Sequence, residues 1–133
     1  MGADEAVNYK QADFLEEVRR LTEGRGVDVV VEHIGQTTFE KSLLSLAKGG
    51  RLATCGSTSG REVKFDLRAL FSRNITILGS RMGTRRGLLE AVEYLKVGEL
   101  KPVVDRVFPL REAAEAHRYM EERKNFGKIV LAI

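Results

Sequence analysis

The stretch VDVVVEHIGQTTFEKSLLSLAKGGRLATCG, residues 27–56, switches between the hydrophobic period of a strand and that of a helix. Its first five residues, VDVVV, are almost all β-branched and apolar, which is typical of a strand that is covered on both faces of a parallel sheet. Its last six residues, 51–56, predict the next strand. A strand, a helix and a second strand in immediate succession predict a parallel β-α-β unit.

The helix between these two strands is predicted from its ends and from its apolar spacing. Thr37 and Glu40 have the spacing of a capping box. The paired glycines Gly49 and Gly50 predict the end of the helix at about Lys48. The apolar residues that share its predicted buried face are Phe39, Leu43 and Leu46.

The same alternation of strands and helices continues over the rest of the chain. Further strands are predicted at 6–9, 75–80, 102–110 and 127–133, and further helices at 13–24, 66–74, 83–100 and 111–123. In the last helix, Ala113, Ala116 and Met120 are expected to face inward. Strands that alternate with helices in this way predict an α/β fold with a mostly parallel, doubly wound sheet.

Size and composition exclude several classes of protein. A chain of 133 residues with 43% hydrophobic residues has the length of one domain with a core. The net charge of +3 arises from scattered basic residues, which argues against a nucleic-acid partner. The apolar runs are too short for a membrane span, and the polar start lacks a signal peptide, so a cytoplasmic location is expected. The single cysteine, Cys55, excludes an intramolecular disulfide.

Three turns rich in glycine follow three predicted strands: EHIGQ, TCGSTSG and GSRMGTRRG. In a doubly wound parallel sheet, ligands bind beyond the carboxyl ends of the strands, and exposed amides there favour an anion. These turns therefore predict a ligand site at one edge of the sheet. No catalytic residue is predicted, because Glu5, Glu32 and Asp66 are isolated carboxylates that form no acid–base pair in the sequence.

The order and spacing of several segments resemble the C-terminal half of the medium-chain alcohol dehydrogenases and quinone reductases. These segments are GADEAVNY, GRGVDVVVEHIG, KGGRLATCG, NITILGS, LKPVVDRVFPL, EAAEAHRYM and GKIVL. The resemblance implies a Rossmann-like domain that binds NAD or NADP in a zinc-type alcohol dehydrogenase or a quinone oxidoreductase. Such an enzyme transfers hydride between nicotinamide and an alcohol, a carbonyl or a quinone.

In that family a GxGxxG turn, the first strands of the sheet and a catalytic domain precede the segments found here. The resemblance therefore implies that residues 1–133 are a truncated C-terminal part of the NAD(P)-binding domain, with a return segment over about 103–133. The isolated chain is expected to bind NAD(P) weakly or not at all and to be inactive. Whether the full-length parent binds zinc is left open, and no metal ligand is predicted in this chain.

The resemblance also assigns cofactor contacts by position. The segment beside the nicotinamide ribose and adenine corresponds to His33, Ile34 and Gly35. The strand end near the nicotinamide carboxamide corresponds to Cys55, Gly56 and Ser57. The third strand end, near the nicotinamide, corresponds to Ser80, Arg81 and Met82, and a basic residue that reaches the pyrophosphate corresponds to Lys128.

Three of these positions have alternatives without a ligand. His33 is also compatible with a histidine packed at a strand end, Cys55 with a small hydrophobic residue, and Lys128 with a solvated lysine.

The family's outer strand, here ITILGS, implies a homodimer with a symmetric contact through residues 74–80. The apolar edge of residues 27–32 is a second place where chains are expected to pair. A small-molecule substrate is expected only for the full-length parent, with no nucleic acid and no membrane as partners. A different class of function, a non-catalytic folded fragment that only self-associates, stays open at this point.

Overall fold

The computed structural model describes residues 2–133, which form a first unit ending at Met82 and a second unit, Gly83–Ile133. Each unit is a parallel sheet packed with helices. The predicted α/β fold with parallel strands is therefore confirmed.

The first unit contains a three-stranded sheet in the order β1-β2-β3, with both neighbouring pairs parallel. Its elements are α1 (Phe14–Leu21), β1 (Val27–Glu32), α2 (Phe39–Leu44), β2 (Leu46–Thr54), α3 (Leu67–Ser72) and β3 (Thr76–Gly79). The central strand is β2, where Leu52 pairs with Val30 on one side and with Ile77 on the other. All elements predicted between residues 13 and 80 are present, although some have different ends.

The core of the first unit lies on one face of this sheet. Leu46 and Leu52 of β2 are fully buried and pack with Phe39 and Leu43 of α2 and with Ile75. The opposite face is open, since Val29 is 57% exposed and Val31 is 69% exposed. The expectation of a strand covered on both faces is therefore wrong for β1, because the core to which α2 and α3 contribute lies on the side of Val30.

Residues 6–9 do not form the predicted strand. Asn8 instead organises a turn, in which its side-chain oxygen accepts from the Lys10 amide at 3.1 Å and its carbonyl accepts from the Ala12 amide at 3.0 Å. Asparagine forms such local turns readily, and here they use the backbone groups that a strand ladder would need.

The second helix is shorter than predicted, because it ends at Leu44 rather than near Lys48. The chain enters β2 directly and makes an excursion over residues 47–50, since Val27 pairs with Leu46 but Val29 pairs with Arg51. Gly49 adopts a φ of +78° in this excursion, and its amide donates to the Arg73 carbonyl at 2.8 Å. The two glycines thus shape a bulge in a strand instead of ending a helix.

The second unit contains a two-stranded parallel sheet of β4 and β5. Its elements are α4 (Arg85–Lys96), β4 (Val104–Pro109), a short 3-10 helix (Leu110–Glu112), α5 (Ala113–Glu121) and β5 (Lys128–Ala132). Phe108 and Ala116 are its buried apolar residues, and the Phe108 ring lies 5.9 Å from the Tyr119 ring between centroids. Met120 lies beside Ala116, near Ile129 and Leu131 of β5, as the predicted face requires, although it is 49% exposed.

Candidate functional site

The carboxyl ends of β1, β2 and β3 meet at one edge of the first unit's sheet, as the sequence predicted. The Cys55 amide donates to the Glu32 carbonyl at 2.9 Å, and the Ser80 amide donates to the Thr54 carbonyl at 2.8 Å. These two bonds extend the strand ladder beyond the last paired residues. The three turns with nine of the predicted cofactor contacts therefore begin side by side, while the contacts themselves stay predictions.

The turns after β1 and β2 are tied together by hydrogen bonds between residues far apart in sequence. The Ser59 amide and hydroxyl both donate to the Ile34 carbonyl, at 2.7 and 2.9 Å. The same hydroxyl accepts from the Thr37 amide at 3.0 Å, and the Gln36 amide donates to the Gly60 carbonyl at 3.1 Å. The two turns therefore form one connected structure.

Glycine is required at both turns by their close approach. Gly35 has a φ of +96°, and a Cβ atom there would lie 2.5 Å from the Gly60 carbonyl oxygen. A Cβ atom at Gly56 would lie 2.5 Å from the His33 carbonyl oxygen. Both contacts are with backbone, which cannot yield as a flexible side chain does, so any larger residue would separate the turns.

Glu32, the last residue of β1, is the polar centre of this arrangement. It is 3% exposed, and its Oε1 accepts from the Ile34 amide at 2.7 Å and from the Gly35 amide at 3.0 Å. Thr38 donates its hydroxyl to both carboxylate oxygens at 3.1 Å, and Ser42 donates its hydroxyl to Oε2 at 2.5 Å. The carboxylate thus joins the turn after β1 to the first turns of α2.

Sequence reasoning treated Glu32 as an isolated carboxylate and missed this role. The available signal is the spacing of Thr38 and Ser42, which are four residues apart and so share one helical face toward the end of β1. The predicted capping box of Thr37 and Glu40 is wrong: Thr38 is the residue before α2, and its hydroxyl binds Glu32 rather than capping the helix.

Burial raises the pKa of Glu32, but the hydrogen bonds from Ser42, from the amides of Gly35 and Ile34 and from Thr38 outweigh it, so its pKa lies below the ordinary value. The carboxylate is therefore ionised at neutral pH and accepts hydrogen bonds only. Such a group positions the turn after β1 and does not serve as a proton donor.

The predicted contact residues differ in their exposure. Gly35 is buried, and Ile34 and Gly56 are half-buried. The exposed ones are His33, Cys55, Ser57, Ser80, Arg81 and Met82. The alternative of a packed histidine at 33 is therefore wrong, and both interpretations of Cys55 stay predictions. Lys128 begins β5 of the second unit, where it is exposed and its amide donates to the Val103 carbonyl at 2.8 Å.

A cleft of ≈ 260 Å³ opens beside the two connected turns, with Gly35, Gly56 and Gly60 in its walls. Ser57 and Arg61 also line it, and sequence reasoning did not single out Arg61. Pockets for whole small-molecule ligands typically measure about 300–1,000 Å³, so this cleft has room for one end of a dinucleotide rather than for all of it.

Among residues 2–133, no three His, Cys, Asp or Glu side chains come close enough to hold a metal ion. A zinc ion thus does not fit the described side chains. In the same range, no helix is both long and apolar enough to cross a membrane.

Comparisons with known proteins agree on one family. A family model described as zinc-binding dehydrogenase matches residues 1–131. The chain is 41% identical to a 2-haloacrylate reductase of a Burkholderia species, over 98% of this chain and 42% of the reductase. A solved NAD-dependent alcohol dehydrogenase superposes with a TM-score of 0.86 at 47% identity, over 99% of this chain and 38% of that protein.

A further solved structure contains both a cofactor and a substrate. It is a 2-octenoyl-CoA carboxylase reductase in complex with NADP and 2-octenoyl-CoA, and it superposes with a TM-score of 0.84 at 30% identity. The matched region covers 98% of this chain and 33% of that protein. The chain thus spans about two fifths or less of the relatives it matches.

Proposed function

The chain belongs to the zinc-binding dehydrogenase family, and from that premise we propose that it is the cofactor-binding part of an NAD(P)-dependent oxidoreductase. The observation that supports this proposal is the edge where three parallel strands end in glycine-bearing turns, the first two of which are connected by hydrogen bonds. When bound, the nicotinamide cofactor supplies the hydride chemistry, and this chain's residues hold and orient it.

The described residues fit one end of such a cofactor. The amides of Gly56 and Ser57 donate no hydrogen bond to any residue between 2 and 133, so they are available to a carboxamide or phosphate oxygen. The close packing of Gly35 against Gly60 fixes the position of these donors. We propose that the turns starting at His33, Cys55 and Ser80 contact the nicotinamide half and that Lys128 contacts the pyrophosphate.

The reaction proposed for the full-length parent is hydride transfer between nicotinamide and an alcohol, a carbonyl or a quinone. The names of two relatives point to a narrower choice, because 2-haloacrylate and 2-octenoyl-CoA are both α,β-unsaturated acyl compounds. We therefore propose reduction of an activated double bond as the first reaction to assay. The comparisons give no support to the alternative that self-association is the only activity of the chain.

A titration of the isotope-labelled chain with NADH and NADPH tests cofactor binding. We expect weak binding without turnover, with the amide shifts concentrated at residues 33–35, 55–57 and 80–82. A submicromolar dissociation constant would contradict the expected weakness. Shifts confined to residues outside these three turns, at millimolar cofactor, would contradict the proposed function itself.

The Lys128→Ala variant tests the proposed phosphate contact. In the full-length parent, loss of one charged hydrogen bond is expected to weaken cofactor binding by roughly 1.5–3 kcal/mol, measured as a rise in the Michaelis constant for the cofactor. The matched control is Lys96→Ala, which removes the same charge from the exposed end of α4. Equal cofactor binding by both variants would show that Lys128 is a solvated lysine without a phosphate contact.

We also propose the symmetric dimer through residues 74–80. Within the described residues, β3 pairs with β2 on one side only, so its other edge is open. The Ser80 amide points toward β2, and amide directions alternate along a strand, so the amides of Ile77 and Gly79 point away from β2. These outward amides are the donors that a second copy of β3 would use.

The molar masses of the wild-type chain and of Gly79→Pro, measured by light scattering, test this contact. Proline at 79 removes an outward donor and no β2–β3 hydrogen bond, so we expect a dimer that becomes a monomer in the variant. Thr76→Pro is the comparison, because it removes an amide that points toward β2 and should lower stability instead. A wild-type monomer, or a dimer unchanged by Gly79→Pro, would show that the contact lies elsewhere.

A further inference from the structure

We propose that the cleft lined by Ser57, Gly60 and Arg61 binds an anionic oxygen group, either a carboxylate or a phosphate. This inference deepens the proposed function and rests on it, because it names the charge class of the group held next to the nicotinamide turns. Neither the family resemblance nor the comparisons assign a role to Arg61.

The charge of the cleft favours an anion. Among the described residues that line it, Arg61 is the one that carries a charge, and the others are glycine, small polar or apolar residues. Arg61 is exposed and forms no ion pair with a carboxylate of residues 2–133. A guanidinium without a carboxylate partner presents all of its donors to a ligand, in a planar fork that matches carboxylate and phosphate oxygens.

The charged residues that follow Gly60 line two different clefts. Arg61 lines the cleft beside the turns, Glu62 and Lys64 line a neighbouring cleft of ≈ 500 Å³, and Val63 lines both. The neighbouring cleft also contains Glu40, so both carboxylates lie there. The cleft beside the turns therefore carries a positive charge, because no carboxylate lines it.

Further donors lie in the same cleft. The hydroxyl of Ser57, like the amides of Gly56 and Ser57, makes no hydrogen bond with another part of the described chain. Gly35, Gly56 and Gly60 carry no side chain there, so a ligand oxygen can approach the backbone closely. One guanidinium, one hydroxyl and two amides together form a donor set that suits an oxyanion.

The test is an amide-shift titration of the chain, without dinucleotide, by inorganic pyrophosphate and separately by acrylate. We expect both anions to shift the amides of Gly56 and Ser57, and we expect Arg61→Gln to raise the dissociation constant about tenfold. The matched control is Lys64→Gln, which removes the same charge two residues away in the neighbouring cleft. Lys64→Gln is expected to raise the dissociation constant only slightly, as any loss of a positive charge near the cleft would.

The two anions distinguish the source of the group. Tighter binding of pyrophosphate supports a cofactor phosphate, and tighter binding of acrylate supports a substrate carboxylate. Equal losses in Arg61→Gln and Lys64→Gln, or shifts that avoid Gly56 and Ser57, would overturn the inference. Because the titration contains no nicotinamide, it can fail while NADH still shifts the three turns, which separates it from the test of the proposed function.

Discussion

Replacement of Glu32 by alanine is expected to lower the free energy of unfolding of the first unit by about 3 kcal/mol or more. The change removes a buried acceptor from four donors: the amides of Ile34 and Gly35 and the hydroxyls of Thr38 and Ser42. The hydroxyls can rotate to other acceptors, but the two buried or half-buried amides are left without a partner, and this accounts for most of the cost.

The chain contains no tryptophan, so the best measurement is hydrogen exchange at the Leu52 amide in the centre of the sheet. The matched control is Glu40→Ala, which removes the same carboxylate from an exposed position on α2 and is expected to change stability by less than about 0.5 kcal/mol. Similar losses in both variants would assign the effect to charge rather than to the hydrogen bonds of Glu32.

The lowered pKa of Glu32 also determines how the folding stability changes with pH. Because the folded pKa lies below that of the unfolded chain, the contribution to stability is present above the unfolded pKa and is lost as the pH falls through the folded one. As the pH falls below about 4.5, the ordinary pKa of the group, Glu32→Gln should therefore lose less stability than the wild-type chain. Asp13 and Asp28, whose pKa values are also lowered by their hydrogen bonds to Lys41 and Arg25, remain in both proteins.

Replacement of Gly35 by alanine is expected to cost about 2–4 kcal/mol. The left-handed backbone disfavours any residue with a Cβ, and this Cβ would also lie 2.5 Å from the Gly60 carbonyl oxygen and 2.9 Å from the Ser57 Cα. Relief of that contact must separate the turn after β1 from the turn after β2. Amide shifts at Ser57 and Ser59 are therefore expected together with the loss of stability.

Gly49→Ala is the matched control for the backbone conformation alone. Gly49 has a φ of +78°, and a Cβ there would have no atom within 4 Å. Its expected cost is about 1–2 kcal/mol, without shifts at the turns. An equally small cost for Gly35→Ala would mean that the two turns move apart freely and do not act as one connected structure.

Local patterns predicted most of the fold. Apolar runs bounded by glycine or proline placed β1, β3, β4 and β5, because each strand is short and has one of these residues at or near an end. The excursion at residues 47–50 was missed, since paired glycines can end a helix or form a bulge, and the choice is made by a contact with Arg73, a residue far along the chain. The Asn8 turn was missed because a weak strand pattern at 6–9 competes with a local side-chain hydrogen bond.

The site was predictable in outline for a different reason. Parallel strands place their carboxyl ends at one edge, so the three turns were located from topology alone. The hydrogen bonds of Glu32 and the position of Arg61 depend on which way side chains point in the folded chain. The hydrophobic pattern of a sequence does not show which way a single charged side chain points. The hydrogen bonds of Glu32 and the position of Arg61 were therefore found only in the structure.

The open face of β1 affects how the folded state of this chain is recognised in solution. Val29 and Val31 present adjacent apolar surface to water in the native fold. Environment-sensitive dyes such as ANS bind exposed apolar surface, and their fluorescence is widely used to diagnose a molten globule. For this chain, native protein will bind such a dye, so only a simultaneous loss of near-ultraviolet circular dichroism identifies a partly unfolded sample.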